Sequence, residues 1–591
     1  MNRRVFRAAV IAGALAALAA APAALAQSPT LLMPGVTYER QVQFASHGPV
    51  VTHVMVAPRP GGLYNLRPVL ANGLIPGKET VSAMEKRVSG AATVAGVNGD
   101  LFNWTDGHPT GLVLQDGVLW HRPSPDRSSV GIDSGGNLRV DRLTTFSTWQ
   151  GSGPRRTLNG LNEPPPANGV SLYTAAWGAA TPPQPGSFEV VLSPFAPLLP
   201  NNSELPGVVV GTNQNGNTAI PATGAVLVAR GTQVEKAVAE APVGGTVSVR
   251  MLLQPDWTGV LQGIGGGPVV VRNGKVVFRA NELFTPEQLL PRDPRTAIGQ
   301  RADGKIVMLV VDGRQPGYSA GLTNYELGLA MQRLGCVTAS ALDSGGSSTM
   351  AFDGTVLNSP SDPTGERPVK EALLVFYSGV YAPPASQPVV SPNGDGIAER
   401  QALSYKIVRP STVSAQLIGP DGRSYYTDSG PRAPGVYKVA WPTGSSGPML
   451  QGRWQWVVQS TDDQGQRSSI DRGFMVNNTL GFLRPTPPGL AAPRLSPRAV
   501  ATVSVSRPAT ILSWIETPNG VPIVNLASRR AVLGTLTLQW DGRNRNGSVV
   551  YPGRYVLKIA ANNSFGRVEL QTKITVVKAR PKPVPKSRSR R

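Results

Sequence analysis

The sequence predicts an α+β mixed-sheet domain over residues 30–381, followed by two all-β sandwich modules. The chain has 66 glycines and 55 prolines but only 16% charged residues, which is typical of many short strands joined by turns. Two stretches with helical spacing interrupt the strands of the first part, and these stretches make it α+β. After Tyr381 the texture changes, and two similar segments of roughly 100 residues follow, a length that suits a β-sandwich.

The first 26 residues have the pattern of a secretory signal peptide. Arg3, Arg4 and Arg7 precede an alanine- and leucine-rich run, and Ala24-Leu25-Ala26 offers a small-residue cleavage site. An uncleaved membrane anchor is the alternative, but it needs about 20 apolar residues, more than this run supplies. No later segment is apolar enough to span a bilayer. We therefore expect an exported protein that is secreted, periplasmic or bound at the cell surface.

Two segments of the first part have apolar residues at helical spacing. They are Lys78–Val88 and Asn324–Leu334. Thr323 and Glu326 stand in the positions of a capping box for the second segment. These helices, set among many strands, predict a mixed α+β domain.

Two apolar runs end in Asp-Xaa-Gly, and they indicate the first candidate site. The runs are Ile306–Val311 and Ala339–Leu342, and the acids that follow are Asp312 and Asp343. An acid at the carboxyl end of a buried strand, followed by flexible backbone, is a common way to build a polar site. The alternative is that both aspartates only cap turns. Three arginines bracket the two loops and suggest a charged substrate: Arg295, Arg314 and Arg367.

Metal chemistry is limited by the few soft ligands in the chain. With four histidines and the single cysteine Cys336, the usual ligand set of a zinc site is hard to assemble. Metal dependence is a secondary hypothesis, in which Ca²⁺ or Mg²⁺ is held by aspartate oxygens. Cys336 lies in an apolar stretch and is expected to be a buried, inert thiol.

The formal charge of +21 is concentrated in part in the carboxyl-terminal tail, residues 578–591. This proline-broken basic segment cannot bury apolar surface, so we expect it to be disordered. It would attract anionic envelope polymers or lipid headgroups, or else act only as a solubilising tail. Nucleic acid is not an expected partner, because the export signal argues against it and aromatic and basic residues do not alternate elsewhere.

The two segments after Tyr381 form an internal repeat, which we place at 388–477 and 494–577. Arg409-Pro-Ser-Thr-Val413 aligns with Arg507-Pro-Ala-Thr-Ile511, Trp441 with Trp540, and Gly452-Arg-Trp454 with Gly553-Arg-Tyr555. The copies resemble the Ig-like modules found at the carboxyl end of flagellar hook-capping proteins. The first copy opens with SPNGDGIAER, in which Asn393, Asp395 and Glu399 form either a plain Asn-Gly turn or a Ca²⁺ site.

Six ordered motifs of the first part resemble the phosphodiester glycosidase family. They are VAGVNGDLFNW (Val94–Trp104), GLVLQDGVL (Gly111–Leu119), GIGGGPVVVRNGK (Gly263–Lys275), PRTAIG (Pro294–Gly299), VVDGR (Val310–Arg314) and ALDSGGSSTM (Ala341–Met350). The family usually has three glycines after the last aspartate, and Ser344 takes the first of these places here. The resemblance implies a hydrolase for sugar-1-phosphodiester bonds, with phosphodiester-linked glycans or envelope polymers as substrates.

That chemistry assigns roles to particular residues. Glycosidases typically use paired carboxylates at the anomeric carbon, and the candidates are Asp100, Asp312 and Asp343. The leaving phosphate needs guanidinium and N–H groups more than a proton. The expected substrate-binding residues are Asn98, Arg295, Arg314, Gly266, Gly267, Gly345, Gly346, Ser347, Ser348 and Glu326. His108 is either a surface histidine or an acid–base group. The alternative to an enzyme is a non-catalytic protein that binds or assembles envelope exopolysaccharide.

Overall fold

The computed structural model describes residues 29–278, 280–442, 449–486, 490–492, 498–531 and 533–578. The predicted signal peptide and the basic residues after Lys578 lie outside these ranges. The structure is 52% strand and 7% helix, so the predicted α+β class is wrong and the fold is nearly all β. Both predicted helices form, but they are short. Most sheets therefore pack against other sheets instead of being covered by helices.

Residues 29–278 and 280–381, as the structure describes them, contain twenty-six strands. They are β1 Thr30–Met33, β2 Val36–Ala45, β3 Gly48–Ala57, β4 Tyr64–Leu70, β5 Thr93–Asn98, β6 Val113–Gln115, β7 Val118–His121, β8 Ser128–Asp133, β9 Leu138–Arg142, β10 Thr144–Gln150, β11 Arg156–Thr157, β12 Gly160–Leu161, β13 Val170–Thr174, β14 Ser187–Leu192, β15 Leu205–Gln214, β16 Ala225–Arg230, β17 Thr246–Gln254, β18 Val260–Gly265, β19 Val269–Arg272, β20 Lys275–Val276, β21 Arg295–Arg301, β22 Ile306–Val311, β23 Cys336–Ala341, β24 Met350–Phe352, β25 Thr355–Val356 and β26 Glu371–Tyr377.

Four short α-helices accompany these strands: α1 Val81–Val88, α2 Gln233–Glu240, α3 Pro286–Leu289 and α4 Asn324–Arg333. Helix α4 begins with the predicted capping box. Thr323 Oγ1 accepts a hydrogen bond from Glu326 N, and the Glu326 carboxylate accepts one from Thr323 N. Helix α1 starts three residues later than predicted, because Thr80 is its N-cap and accepts from Ala83 N. Single 3₁₀ turns lie at Ala71–Gly73 and Gly345–Ser347.

These strands form four sheets. The first has the order β1-β2-β3-β22-β21-β23-β19-β20, and the second has the order β11-β10-β17-β15-β14-β16-β13-β12. The two smaller sheets have the orders β7-β6-β18-β8-β9 and β25-β24-β5-β26-β4. The second sheet packs on a core that includes Trp149 and Leu227, to which β6 and β7 add Leu114 and Leu119. Helix α4 covers one face of the first sheet, where Leu327 and Met331 pack on its strands.

The remaining strands belong to the two repeated segments. In the first are β27 Val389–Val390, β28 Gln401–Ile407, β29 Ser411–Ile418, β30 Ser424–Arg432, β31 Gly435–Trp441, β32 Gly452–Asp462 and β33 Arg467–Val476. The strands β34 Leu480–Pro485 and β35 Leu490–Ala492 precede the predicted start of the second segment at residue 494 but belong to its sheets. They are followed by β36 Arg498–Val505, β37 Ala509–Glu516, β38 Pro522–Ala531, β39 Gly534–Trp540, β40 Gly553–Asn563 and β41 Gly566–Lys578.

The two segments repeat one arrangement. A sheet of order β27-β33-β32-β29-β30 accompanies the pair β28-β31, and β35-β41-β40-β37-β38 accompanies β34-β36-β39. The aligned aromatic residues meet in both copies. The ring centroids of Trp441 and Trp454 are 4.4 Å apart, and those of Trp540 and Tyr555 are 5.7 Å apart. The repeat read from the sequence is therefore also a repeat of packing.

The first repeated segment is joined to the preceding sheets by buried contacts. Arg472 Nε donates to Ala382 O at 2.7 Å, and its guanidinium lies 5.9 Å from the Tyr381 ring centroid. Lys406 Nζ donates to Ala92 O at 3.0 Å. One hydrophobic core accordingly runs from Met308 of the first sheet to Trp454. Within the described ranges, no helix has the length and apolar character needed to cross a membrane.

Candidate functional site

The two Asp-Xaa-Gly segments meet at one edge of the first sheet. Strands β22 and β23 both pair antiparallel with β21, so they run in the same direction and end at the same edge. Strand β22 coincides with the predicted run Ile306–Val311 and is buried throughout. One strand therefore separates Asp312 from Asp343. Their side chains have very different surroundings.

Asp343 lies at the floor of the candidate site. Its residue is half-buried, and removal from water raises the pKa of its carboxyl to about 6. Hydrogen bonds from Ser347 and from the Ser344 N–H (2.8 Å) act in the opposite direction, as does the charge of Arg367. The negative charge of Asp100 raises the pKa further. A carboxyl that titrates near neutrality suits proton transfer or attack on a substrate.

Asn98 holds the backbone around Asp343 in place. Its Nδ2 donates to Asp343 O at 2.9 Å, and its Oδ1 accepts from Thr296 Oγ1 (2.8 Å) and from Thr349 N (3.1 Å). The side chain is fully buried. Asn98 was predicted to bind substrate. The structure places it beneath the loop, where it links three segments of the site.

Asp100 forms a buried, two-pronged ion pair with Arg127. The distances are 2.8 Å for Nη1–Oδ1 and 3.1 Å for Nη2–Oδ2. Two glycines leave room for the Asp100 carboxylate, because a Cβ at Gly111 or at Gly265 would come within 2.4 Å or 2.0 Å of Oδ2. These glycines allow close packing on a charged group.

A third acid, Glu371, lies beside Asp100. It opens β26, is 1% exposed, and its Oε1 accepts from Asp100 N at 3.3 Å. Among the described residues, its Oε2 has no hydrogen-bond partner. Burial raises the pKa of Glu371 well above its usual value, and the charge of Asp100 adds to this, while Lys370 and Arg127 oppose it. The surroundings of Glu371 therefore favour its protonated form.

Asp312 is enclosed in a hydrogen-bond network. Its Oδ2 lies 2.8 Å from His53 Nε2 and accepts from the Tyr318 hydroxyl at 3.1 Å. Its Oδ1 accepts from Asn358 Nδ2 (3.1 Å) and Ser359 N (3.0 Å). The residue is 1% exposed. Four partners saturate the carboxylate, so the predicted catalytic role is not supported by its geometry.

Arg295 is also committed to the protein. Its Nε donates to Leu322 O, its Nη1 to Gln288 O and its Nη2 to Pro291 O, at 2.7–2.8 Å. It is 2% exposed, and burial lowers its pKa to about 10. Arg295 thus ties the loop around α3 to the start of α4. Its contact with the candidate site is through Ser344 Oγ, 3.5 Å from Nη1.

Arg314 and Arg367 are the guanidinium groups that flank the loop after Asp343. Arg314 pairs with Asp293 through Nε (2.8 Å) and Nη2 (2.9 Å). Its Nη1 faces Gly345, where a Cβ would lie 3.1 Å away. Arg367 pairs with Asp362 (Nε–Oδ2 2.7 Å), and its Nη1 donates to Ser347 Oγ at 3.3 Å. Both cations border the loop from Asp343 to Ser348.

The backbone conformation and the crowding of this loop explain why two positions are glycine and why a third accepts serine. Gly345 has φ +67°, which favours glycine, and a Cβ at Gly346 would come within 2.0 Å of Arg367 and of Asp362. Ser344 has φ −125° and ψ −173°, an extended conformation open to any residue. The departure from the three-glycine pattern therefore strains no backbone angle.

The predicted anion-binding loop is only partly available. Gly345 N–H donates to Pro294 O at 3.0 Å, so it is occupied. Ser347 and Ser348 are buried, with Ser347 engaged by Asp343 and Arg367. Within the described residues, Ser348 Oγ has no hydrogen-bond partner. Ser348 is thus the residue of this loop with unused hydrogen-bonding capacity.

Gly266, Gly267 and Glu326 were also predicted to bind substrate, but their polar groups contact other parts of the protein. Gly267 N donates to Ala341 O at 2.9 Å and so ties the start of β19 to β23. Gly266 O lies 3.5 Å from Arg127 Nη1, the guanidinium that holds Asp100. Glu326 accepts from Thr323 N and from Arg292, which occupies its carboxylate in capping α4. These residues position the site from outside it.

His108, Cys336 and the turn with Asp395 and Glu399 were the other residues considered for acid–base chemistry, nucleophilic attack or metal binding. His108 Nδ1 lies 2.6 Å from Asp106 Oδ1. Cys336 is a buried free thiol whose pKa burial raises to about 12, as expected for an inert group. Asp395 and Glu399 accept hydrogen bonds from backbone N–H groups of their own turn. In the ranges that the structure describes, no group of three or more His, Cys, Asp or Glu residues is placed to hold a metal ion.

Residues 204–376 match the family model for phosphodiester glycosidase. The matched range contains four of the six motifs, from Gly263 onward, and includes Asp343 and Glu371. The two earlier motifs, with Asn98 and Asp100, precede it. The family resemblance is therefore supported for the strands and loop that carry Asp343.

One curated protein and several solved structures are also similar to parts of this chain. A 99-residue stretch is 40% identical to the SPbeta prophage-derived uncharacterized protein YomE of Bacillus subtilis, which is 17% of this chain and 15% of that protein. A hypothetical protein from Synechocystis is similar at 25% identity and TM-score 0.49, over 58% of this chain and 62% of that one. The zebrafish N-acetylglucosamine-1-phosphodiester alpha-N-acetylglucosaminidase catalytic domain is similar at 14% identity and TM-score 0.33, over 59% and 85%.

Sequence reasoning missed three residues of the site. Arg127 lies in a short turn segment, and nothing in its spacing indicates that it pairs with Asp100. Glu371 did carry a signal, since the adjacent charges of Lys370 and Glu371 open an otherwise apolar strand. Trp104 was visible only as part of a motif. Its side chain is exposed, and the Arg367 guanidinium lies 4.9 Å from its ring centroid.

Proposed function

We propose that this protein is an exported glycoside hydrolase that cleaves sugar-1-phosphodiester bonds in glycans or envelope polymers. The observation that carries the proposal is the half-buried Asp343 carboxyl, set beside Arg314 and Arg367 in the segment that matches the phosphodiester glycosidase family. A carboxylate next to two cations suits a substrate that has an anomeric carbon on one side and a phosphate on the other.

In this proposal Asp343 acts on the anomeric carbon. At neutral pH its carboxyl is mostly ionised, because its pKa is about 6. Its carboxylate accepts a proton from a water molecule whose oxygen bonds to the anomeric carbon. The bond from this carbon to the phosphate oxygen breaks, and its electron pair leaves with the phosphomonoester. The negative charge of the carboxylate also stabilises the positive charge that develops on the sugar. Asp100 is already paired with Arg127, so it keeps the local field fixed instead of exchanging protons.

The arginines stabilise the departing phosphate. A phosphomonoester leaves as an anion, so it needs positive charge more than a proton. Arg314 is half-exposed and Arg367 lies beside Ser347, which leaves both near the space above the loop. The carboxylates that hold them, Asp293 and Asp362, fix the direction of each guanidinium.

Trp104 supplies a surface for the sugar. Its indole is exposed, is held by Arg367 on one side, and lies 5.5 Å from the Phe102 ring. An aromatic face of this kind packs against the apolar C–H face of a sugar ring, while the hydroxyl groups remain available to polar residues. We propose that the sugar lies between Trp104 and Asp343.

The decisive experiment measures which bond is broken. The full chain is incubated with a panel of sugar-1-phosphate methyl diesters in ¹⁸O-water, and the free sugar and methyl phosphate are analysed by mass spectrometry. Cleavage at the anomeric carbon places ¹⁸O in the sugar, whereas a phosphodiesterase would place it in the phosphate. We expect ¹⁸O in the sugar and a loss of about 10²–10⁴-fold in rate for Asp343→Asn.

Asp303→Asn is the matched control, since Asp303 lies in the exposed turn between β21 and β22. It should keep the wild-type rate. No turnover of any diester, full turnover by Asp343→Asn, or ¹⁸O in the phosphate would each overturn the proposal. Glycan binding without turnover would instead favour a non-catalytic envelope protein, in which the basic tail and the Ig-like modules hold anionic polymers.

A further inference from the structure

An apolar cavity of about 520 Å³ lies beside the candidate site. It is enclosed by the β19–β20 hairpin, the loop around α3 and the start of α4. The apolar side chains that define it are those of Pro268, Val277, Phe284, Leu289, Leu290 and Tyr325. We call this space the apolar cavity.

The lining of the apolar cavity offers few groups that could bind a charged ligand. Among the lining residues that the structure describes, Glu282 is the one that carries a charge, and both of its carboxylate oxygens are already occupied. Oε1 accepts from Ser128 Oγ (2.8 Å) and Val269 N (2.9 Å), and Oε2 accepts from Ser128 N (2.8 Å). The other polar lining residues, Asn281, Thr323 and Asn324, are uncharged. The lining is therefore suited to hydrocarbon.

Part of this lining remains open to water. Leu290 is 69% exposed and Tyr325 is 45% exposed. Apolar surface concentrated around a concave space commonly marks a binding site. The cavity volume exceeds that of a single water molecule many times, so it offers room for a chain of several carbons.

Three contacts connect the apolar cavity to the candidate site. Pro268 O accepts from Ala341 N at 3.0 Å, two residues before Asp343. Arg295 Nη1 reaches both Gln288 O, next to Leu289, and Ser344 Oγ, next to Asp343. The Arg127 guanidinium, which holds Asp100, lies 6.0 Å from the Phe284 ring centroid. The cavity thus borders the loop that carries Asp343.

We propose that the apolar cavity binds the aliphatic alcohol of a glycosyl phosphodiester, so that the substrate class is a sugar joined through phosphate to a lipid-like chain. The inference rests on the proposed function. A phosphodiester has two arms, and the sugar arm needs polar partners for its hydroxyl groups. The apolar side chains of the lining suit the other arm, because the Glu282 carboxylate among them is already hydrogen-bonded. With the phosphate near Arg314 and Arg367, the alcohol chain extends toward Leu289 and Leu290.

The test measures binding separately from catalysis. Isothermal titration calorimetry compares n-octyl phosphate with methyl phosphate on the full chain, at concentrations below micelle formation. Each buried methylene contributes roughly fourfold in affinity, so we expect octyl phosphate to bind at least tenfold more tightly. Leu290→Gln and Val277→Trp, which respectively make the mouth polar and fill the space, should each remove most of this gain while methyl phosphate binding stays unchanged.

Val243→Gln is the matched control, because Val243 is 62% exposed and lies outside the cavity lining. It should keep the full gain. Equal affinity for the two phosphates, or a gain that survives both cavity variants, would overturn the inference. If the cavity instead receives a second copy of the chain, light scattering will show a dimer that Leu290→Gln dissociates, and octyl phosphate will bind no better than methyl phosphate.

This measurement separates the two proposals. Tight, cavity-dependent binding of octyl phosphate without hydrolysis of any diester would contradict the proposed catalysis and leave the apolar cavity as a lipid phosphate site. Hydrolysis with no preference for the longer chain, whether in binding or in kcat/KM, would keep the catalytic proposal and reject the lipid-like substrate.

Discussion

Arg127 and Asp100 form a two-pronged ion pair that is almost completely buried, with Nη–Oδ distances of 2.8 and 3.1 Å. Asp343 and Glu371 interact with the same pair, since Asp100 raises the pKa of both acids and Arg127 lowers that of Glu371. Burial is the main reason that the pKa of both acids is raised, and the negative charge of Asp100 raises it further. Lys370 and Arg127 oppose this at Glu371, and Arg367 opposes it at Asp343.

Breaking this pair from one side should strongly destabilise the fold. Asp100→Asn leaves Arg127 charged and unpaired, and Arg127→Met does the same to Asp100, so each should lower the free energy of unfolding by about 3–5 kcal/mol. The double variant should cost clearly less than the sum of the two changes. Urea unfolding of all four proteins gives the coupling energy. Additive losses would show that the two groups do not depend on each other.

The activity should depend on the protonation of Asp343. Its carboxyl must be ionised in the proposed mechanism, so kcat/KM should fall as the pH decreases through about 6, the pKa of Asp343. Below this value each further pH unit should reduce kcat/KM about tenfold. A profile of kcat/KM between pH 4.5 and 8 tests the assignment. Constant activity down to pH 4.5 would contradict it.

The ionised form of Asp343 should also lower the free energy of unfolding, whereas an ordinary carboxylate in an ion pair raises it. Its pKa is higher in the folded state than the usual 3.8, so the folded protein loses stability as the pH rises from about 4 through 6. Asp343→Asn should therefore raise the free energy of unfolding at pH 8 by about 1–2 kcal/mol, and the gain should vanish near pH 4. Denaturant unfolding at both pH values checks this. A gain that is equal at both would exclude the charge as its cause.

Asp312 should matter for stability more than for chemistry. Asp312→Asn places an amide where His53 and Tyr318 approach the carboxylate, so we expect a loss of about 2–4 kcal/mol in the free energy of unfolding. The folded variant should keep kcat within about tenfold of the wild type at low temperature. A loss as large as that of Asp343→Asn, in a protein that is fully folded by circular dichroism, would restore Asp312 as a catalytic residue.

Adjacent residues of the loop should respond differently to substitution. Ser344→Gly should leave kcat/KM within about twofold, because the extended backbone at Ser344 suits any residue. Gly345→Ala should cost about 1–2 kcal/mol, because φ is +67° there, and should weaken catalysis by pressing a methyl group toward Arg314. Kinetics and thermal unfolding of both variants test the contrast. A large effect of Ser344→Gly would show that the hydroxyl itself contributes.

The sequence predicted the strands at the site better than the class of the fold. The run before Asp312 forms β22 with the predicted bounds, because uninterrupted apolar residues with β-branched side chains favour buried strands. The run before Asp343 lies in β23, which begins at Cys336, three residues earlier than the predicted run, and ends at Ala341. The capping box at Thr323 and Glu326 also forms, since it depends on residues three apart. The predicted α+β class is wrong because the two helical segments are real but short, and helices make up only 7% of the structure. The packing of one sheet on another leaves no signal in the local periodicity of the sequence.

Local sequence thus determined where the strands end, where α4 begins, and that two segments repeat. It also placed Asp343 in a glycine-rich loop. The tertiary structure alone decided which acid is available, because Asp312 and Asp343 follow similar strands but only Asp312 meets four hydrogen-bond donors. It likewise brought Arg127, from the turn before β8, and Glu371, from the start of β26, to Asp100. Burial and charge pairing depend on neighbours far apart in the chain, so the reactivity of these carboxyl groups is a property of the folded protein.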